Sequence, residues 1–229
     1  MENNDTKLVT KGLPLLNSGL VHRIKTPSTP GPHPTVIMLH GRFGNEDVMW
    51  VFAHTLPPDW LVVAPRATVP EQGGYSWHPQ RDEWPTLSDF DEAVTAVSHF
   101  IQSLPEQYNA DPKQIYLMGF SQGAAAAVAT ALYYPKLVRG IAGLVGFVPD
   151  DAEHLFAEAP LKNVPVLLLI GKHDRFIPVE MARKSGKAIR AAGGRLDYQE
   201  YDTGHKLNEA GMRKLKTWWA EQAQDSHKT

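Results

Sequence analysis

The chain has 229 residues, 42% of them hydrophobic and 21% charged, and 23 basic against 25 acidic side chains leave a formal charge of −2. Such a length and composition fit one globular domain spanning 1–229, with a core large enough to need no staple. With no cysteine, the chain excludes a disulfide framework, a thiolate metal site and a cysteine nucleophile, and its near-neutral charge gives no electrostatic footprint for nucleic acid.

The opening residues, MENNDTKLVT, lack the basic start and apolar stretch of a secretory signal. The longest apolar runs, such as 164–170, fall far short of the roughly 18 residues of a membrane span. These features predict a soluble, cytoplasmic protein.

Short β-branched or leucine-rich runs then alternate with longer segments of helical period, the pattern of an α/β fold with a mostly parallel sheet. In chain order, strands are expected at 20–24, 35–39, 60–64, 114–118, 138–145, 164–170 and 196–201. Helices are expected at 46–56, 88–104, 122–133, 179–192 and 207–221. The runs from Thr35 to Ile170 read as strands buried on both faces. The segment 88–104 places Phe90, Val94, Val97, Ile101 and Leu104 at three- and four-residue intervals, which predicts an amphipathic helix.

Two stretches break the alternation. Residues 65–85 carry four prolines and two tryptophans and are too long for an ordinary connection, so they are read as a functional loop. Residues 146–165 are read as a loop with a short helix beside the sheet. The polar residues 222–229 are expected to fray. Of the adjacent Trp218 and Trp219, one is expected to pack on the sheet and the other to be partly exposed.

Chemistry enters at Gly119-Phe120-Ser121-Gln122-Gly123. This G-x-S-x-G sequence follows an apolar run and precedes an alanine-rich helix, the setting of a nucleophile elbow, in which small flanking residues let strand and helix approach. A serine hydroxyl is a weak nucleophile at neutral pH and needs a base, itself oriented by a carboxylate. In α/β-hydrolases the acid and then the histidine follow in loops after later strands. Asp174, just past the run 164–170, is the expected acid, with Asp150, Asp151 and Asp202 as weaker candidates; Asp174 could also cap the helix that follows. Of ten histidines, His205 alone has the required place in chain order. His173 precedes the required strand and His227 lies in the tail.

An oxyanion requires preorganised donors. The Gln122 backbone N–H is expected to supply one, and the Arg42 N–H, in the loop His40-Gly41-Arg42-Phe43-Gly44-Asn45, the other. The Arg42 side chain is read as a solvated cation paired with Glu46 or Asp47. Phe43, Tyr75, Trp77, Phe147 and Phe176 sit in loops expected at the carboxyl ends of the strands, where open α/β sheets bind ligands, and are the candidate pocket lining.

The stretches LHGRFGNE (39–46), GFSQG (119–123), GKHDRFIP (171–178) and TGH (203–205) together resemble the phospholipase/carboxylesterase branch of the α/β-hydrolases, which includes acyl-protein thioesterases and lysophospholipases. The seven expected strands, flanked by the expected helices, then form the mostly parallel sheet of an α/β-hydrolase, and the resemblance implies a serine esterase acting on carboxylic esters or thioesters without metal or other cofactor. Gly73-Gly74-Tyr75-Ser76-Trp77 is similar to a bacterial subgroup in which an aromatic residue of this loop lines the acyl pocket. Phe43 departs from the family, which commonly has glycine there. The expected partner is a small-molecule ester. A peptidase or lactonase on the same residues, or a non-catalytic ligand-binding member of the fold, are the rival readings. With the strands and helices assigned, no length remains for a separate lid domain.

Overall fold

The central strands have apolar side chains on both faces because both faces are covered. In the strand His33–Leu39 of the computed structural model, which describes residues 6–226, Ile37 and Leu39 point to one core while Val36 and Met38 point to another, and all four are fully buried. A two-residue period places successive side chains on opposite faces, so a doubly covered strand needs an unbroken apolar run.

The elements in chain order are β1 (Lys7–Val9), α1 (Leu13–Ser18), β2 (His22–Lys25), β3 (His33–Leu39), β4 (Leu61–Pro65), β5 (Val69–Glu71), β6 (Gly74–Ser76), α2 (Asp91–Tyr108), β7 (Ala110–Phe120), α3 (Gln122–Tyr133), β8 (Gly140–Leu144), β9 (Pro165–Gly171), α4 (Val179–Ala191), β10 (Arg195–Tyr201) and α5 (Glu209–Ser226). Eight strands form one sheet in the order β1-β2-β4-β3-β7-β8-β9-β10; β5 and β6 form a separate hairpin. From β4 to β10 all neighbours are parallel, and β2 alone runs opposite to the rest of the sheet, pairing antiparallel with both β1 and β4. This is the α/β-hydrolase fold, with eight strands where about seven are expected from the sequence. The added one, β1, is three residues long at the sheet edge, too short to leave a periodic signal.

Side chains of α2, α3 and α4 fill the core on one face of the sheet, and those of α5 fill the other. Both Trp218 and Trp219 are buried, against the expectation that one is exposed; Trp219 meets Trp60 and Tyr116 edge-on at 6.0 and 5.9 Å. Helix α5 continues to Ser226, so residues 222–226 are helical rather than frayed, while His227 lies outside the described residues.

The helix expected over 46–56 is instead a 3₁₀ helix, Val48–Thr55. Its buried residues, Met49, Phe52 and Thr55, are three apart, and a three-residue turn stacks them on one side. Helix α2 is preceded by a 3₁₀ turn, Leu87–Phe90, with a capping box in which Asp89 accepts the Thr86 N–H at 2.8 Å. It runs four residues past the expected end because Pro105 falls in the last turn, where a missing N–H removes a single bond, and Asn109 closes the helix at φ 55°. Among the described residues no helix is long and apolar enough to cross a membrane.

Candidate active site

Ser121 stands between the last residue of β7 and the first of α3, at φ 53° and ψ −119°, a conformation L-residues seldom adopt. Its backbone is held from both sides: its N–H donates to the Leu144 carbonyl at 2.9 Å, and its own carbonyl accepts the Ala124 N–H at 3.0 Å. The reversal lifts the serine side chain out of the strand at the carboxyl end of the sheet.

The loops after β9 and β10 are joined, since Lys172 N–H donates to the Tyr201 carbonyl (2.9 Å) and His173 N–H to that of Thr203 (3.0 Å). This brings Asp174 and His205 together. The Asp174 side chain is fully buried, and its Oδ2 lies 2.6 Å from His205 Nδ1. Its Oδ1 accepts the N–H groups of Phe176 (2.8 Å) and Ile177 (3.0 Å). One carboxylate thus caps its own loop and orients the imidazole. Phe120 and Phe176 meet that ring edge-on at 5.2 and 5.1 Å. The weaker candidates lie elsewhere: Asp202 bonds the exposed His173 at 2.5 Å, Asp150 pairs with Lys184, and Asp151 is exposed.

His40, buried before the loop that carries Arg42, is locked in one tautomer. Its Nδ1–H donates to the Gly41 carbonyl at 2.7 Å, and its Nε2 accepts the Ala67 N–H at 3.0 Å. Burial, the largest influence, pulls its pKa from 6.5 down to about 4, against the raising effects of the Gly41 carbonyl and Glu46. The unfolded chain therefore takes up this proton near pH 6.5 and the folded chain only near pH 4. Stability should decline as pH falls through that window, by up to about 3 kcal/mol, and a titration of Tm should be shallower there in His40→Asn.

The Arg42 guanidinium pairs with Glu71 at 2.9 Å, not with Glu46 or Asp47, which are taken by Arg66 (2.6 Å) and Arg23 (2.5 Å). Gln122 is the first residue of α3, so its N–H is one of those with no acceptor within the helix. Its side chain has a role the sequence reading missed: Oε1 accepts the Trp77 N–H at 2.8 Å and Nε2 donates to the His78 carbonyl at 3.3 Å, tying the 77–78 segment to the elbow. An amide beside the serine, able to donate and accept at once, was the available signal.

Ser121, His205, Arg42, Gln122, Phe43, Phe147 and Phe176 all line one cavity of about 420 Å³. Tyr75 and Trp77 do not line it. Trp77 is fully buried beneath the loop, where its Nε1–H donates to the His40 carbonyl at 2.8 Å. Tyr75 lies under the Arg66 guanidinium at 4.5 Å and accepts a hydrogen bond from it at 3.0 Å. The unforeseen aromatics in the wall are Phe120 and Trp84; the ring of Trp84 lies 4.7 Å from that of Phe147. His78, Arg81 and Glu83 add polar groups to the same side. Among the described residues no cluster of three His, Asp or Glu side chains is arranged to hold a metal ion.

The profile of the phospholipase/carboxylesterase family matches residues 21–221. This chain belongs to the phospholipase/carboxylesterase family. Among relatives in the family, it is 30% identical over 137 residues to a probable inactive carboxylesterase of Oryza sativa subsp. japonica, covering 58% of this chain and 56% of that one. It is 30% identical over 131 residues to carboxylesterase SOBER1 of Arabidopsis thaliana, covering 56% of each. The chain spans about half the length of these plant relatives. A crystal structure of a carboxylesterase from Mesorhizobium loti superposes with a TM-score of 0.79 at 18% identity, over 94% of this chain and 99% of the other, which establishes the shared fold. The rice relative is named a probable inactive carboxylesterase, so membership of the family does not by itself make a chain a catalyst.

Proposed function

We propose that the chain is a serine carboxylesterase that hydrolyses small carboxylic esters through an acyl-enzyme on Ser121. The observation that carries this reading is the 2.6 Å contact between Asp174 and His205 beside a cavity that also exposes Ser121. Held by Asp174, His205 keeps its proton on Nδ1 and leaves Nε2 free to act as base. Ser121 Oγ attacks the ester carbonyl carbon as Nε2 takes the hydroxyl proton. The carbonyl oxygen becomes an oxyanion that the Arg42 and Gln122 N–H groups stabilise. His205 returns the proton to the departing alcohol as the carbon–oxygen bond breaks. The same base then activates water, which releases the acid and regenerates Ser121.

A volume of about 420 Å³ suits a small ligand, and the aromatic walls suit an apolar acyl or alcohol group. Thioesters, lysophospholipids, lactones and peptides are acyl donors open to the same residues, since a fold does not dictate a substrate. Ligand binding without turnover is the second reading, motivated by the name of the rice relative.

A fluorophosphonate probe separates the two. The esterase reading expects one label per chain, located at Ser121 by peptide mapping, with loss of p-nitrophenyl acetate hydrolysis in step with labelling. Undiminished labelling of Ser121→Ala, or a fully folded wild-type chain that neither labels nor turns over any ester, would overturn it.

A further inference from the structure

The loop that carries Arg42 is seated on the β5–β6 hairpin by a continuous set of bonds centred on Glu71. Arg42 Nη2 and Nε donate to Glu71 Oε1 and Oε2 at 2.9 and 3.3 Å. Ser76 Oγ donates to the same Oε2 at 2.6 Å and accepts the Phe43 N–H at 3.5 Å. Tyr75 N–H donates to the Gly44 carbonyl at 2.8 Å, a bridge between the hairpin and the loop. The hairpin is in turn fixed to the sheet by Arg66, which grips the buried Glu46 with two bonds of 2.6 and 2.7 Å and lies over Tyr75.

The loop has a reason to need holding. Phe43 stands at φ 61°, in the left-handed region that a phenylalanine enters at a cost of order 1 kcal/mol or more. Left to itself, the 42–44 backbone would relax toward ordinary dihedrals and turn the Arg42 N–H with it. The hairpin opposes this at three successive residues, by the Arg42 side chain, the Phe43 N–H and the Gly44 carbonyl.

We propose that Glu71 is a positioning residue for the oxyanion loop: through Arg42 and Ser76 it holds the Arg42 N–H in the direction where the negative charge of the tetrahedral intermediate develops. The inference rests on the esterase reading above. Glu71 itself stays outside the cavity wall, and the arginine side chain serves as a tether instead of a substrate contact. The Arg42 hydrogen bond, with help from Ser76, holds the Glu71 carboxyl below the usual carboxylate range, so the tether is charged at neutral pH.

Removing an oxyanion donor outright costs about 10²–10³ in kcat, so loosening one should cost about tenfold to a hundredfold. Glu71→Ala is expected to lose that much kcat on p-nitrophenyl acetate with KM little changed. Affinity for a trifluoromethyl ketone, which forms a tetrahedral adduct on the serine, should fall by the same factor. Glu71→Gln, which keeps an acceptor for Arg42, should recover part of both. Arg42→Ala should match Glu71→Ala, and the double variant should be no worse than either single one. If Glu71→Ala does not fold, Ser76→Ala removes the two bonds that Ser76 Oγ makes, to Glu71 and to the Phe43 N–H, while leaving the Arg42–Glu71 pair, and should give the same kcat-selective loss at smaller size. A lowered Tm with unchanged kcat and ketone affinity would overturn the proposal by reducing Glu71 to a structural role. Multiplying single losses would overturn it by making Arg42 a substrate contact. A wild-type chain inert to esters and to the ketone fails the esterase reading first, and the inference with it.

Discussion

Asp174→Asn is expected to lower kcat by about 10⁴ at neutral pH while leaving a folded protein. The native carboxylate uses both oxygens, Oδ1 toward the N–H groups of Phe176 and Ile177 and Oδ2 toward His205 Nδ1. An asparagine keeps an oxygen at the first position, so the loop cap survives. At the second it presents an NH₂, which donates where the native group accepts. His205 Nδ1 must then become the acceptor, its proton moves to Nε2, and the atom that should take the Ser121 proton already carries one. Asp174→Ala differs in kind, because it also strands two loop N–H groups and should cost stability of order 1 kcal/mol per lost bond. Steady-state kinetics and thermal unfolding of both variants check this. A kcat within tenfold of wild type in Asp174→Asn would remove Asp174 from the proposed mechanism.

The parts of this molecule that were legible in sequence are those where one physical constraint acts alone. The central strands must be apolar on both faces, so Val36 to Leu39 and Val166 to Ile170 announce themselves. The elbow must have small residues around its serine, so residues 119–123 do likewise. The chain order of Asp174 and His205 follows because both stand on loops leaving the same end of a parallel sheet. What sequence did not disclose depends on distant partners. Arg42 had nearby acids at Glu46 and Asp47, yet Glu71 takes it because the hairpin brings that carboxylate to the loop, while Arg66 and Arg23 occupy the nearer ones. Tyr75 and Trp77 were placed in the cavity by their loop. The hairpin instead turns Tyr75 under Arg66 and Trp77 under His40, and in their place Phe120 and Trp84 join Phe43, Phe147 and Phe176 in the wall.

That same tight seating of loop on sheet governs the other large effect, expected for Gly123→Ala. Helix propensity alone would favour alanine over glycine by about 1 kcal/mol, and Gly123 is the second residue of α3. Packing reverses the sign. A Cβ at this position would lie 2.2 Å from the Leu39 carbonyl oxygen and 2.4 Å from that of His40. Both are backbone atoms at the carboxyl end of a central strand, so no side-chain rotation relieves the contact, and helix and strand would have to separate. Overpacking among movable side chains costs about 1–3 kcal/mol, and a clash with fixed backbone belongs at or above the top of that range. For a chain of this size that means a fall in Tm of roughly 10 °C or failure to fold. Any folded fraction should also be a poor esterase, because the displaced helix start carries the Gln122 N–H and the displaced strand end leads into the Arg42 loop. Ala126→Gly, on the same helix, should cost much less, since it leaves the helix seated on β3. A Gly123→Ala protein with unchanged or higher Tm would mean that propensity wins and the close approach of α3 to β3 is not what the glycine serves. The expected loss would make Gly123, with Gly119 on the facing strand, a residue that permits the elbow's geometry, one step removed from the chemistry of Ser121.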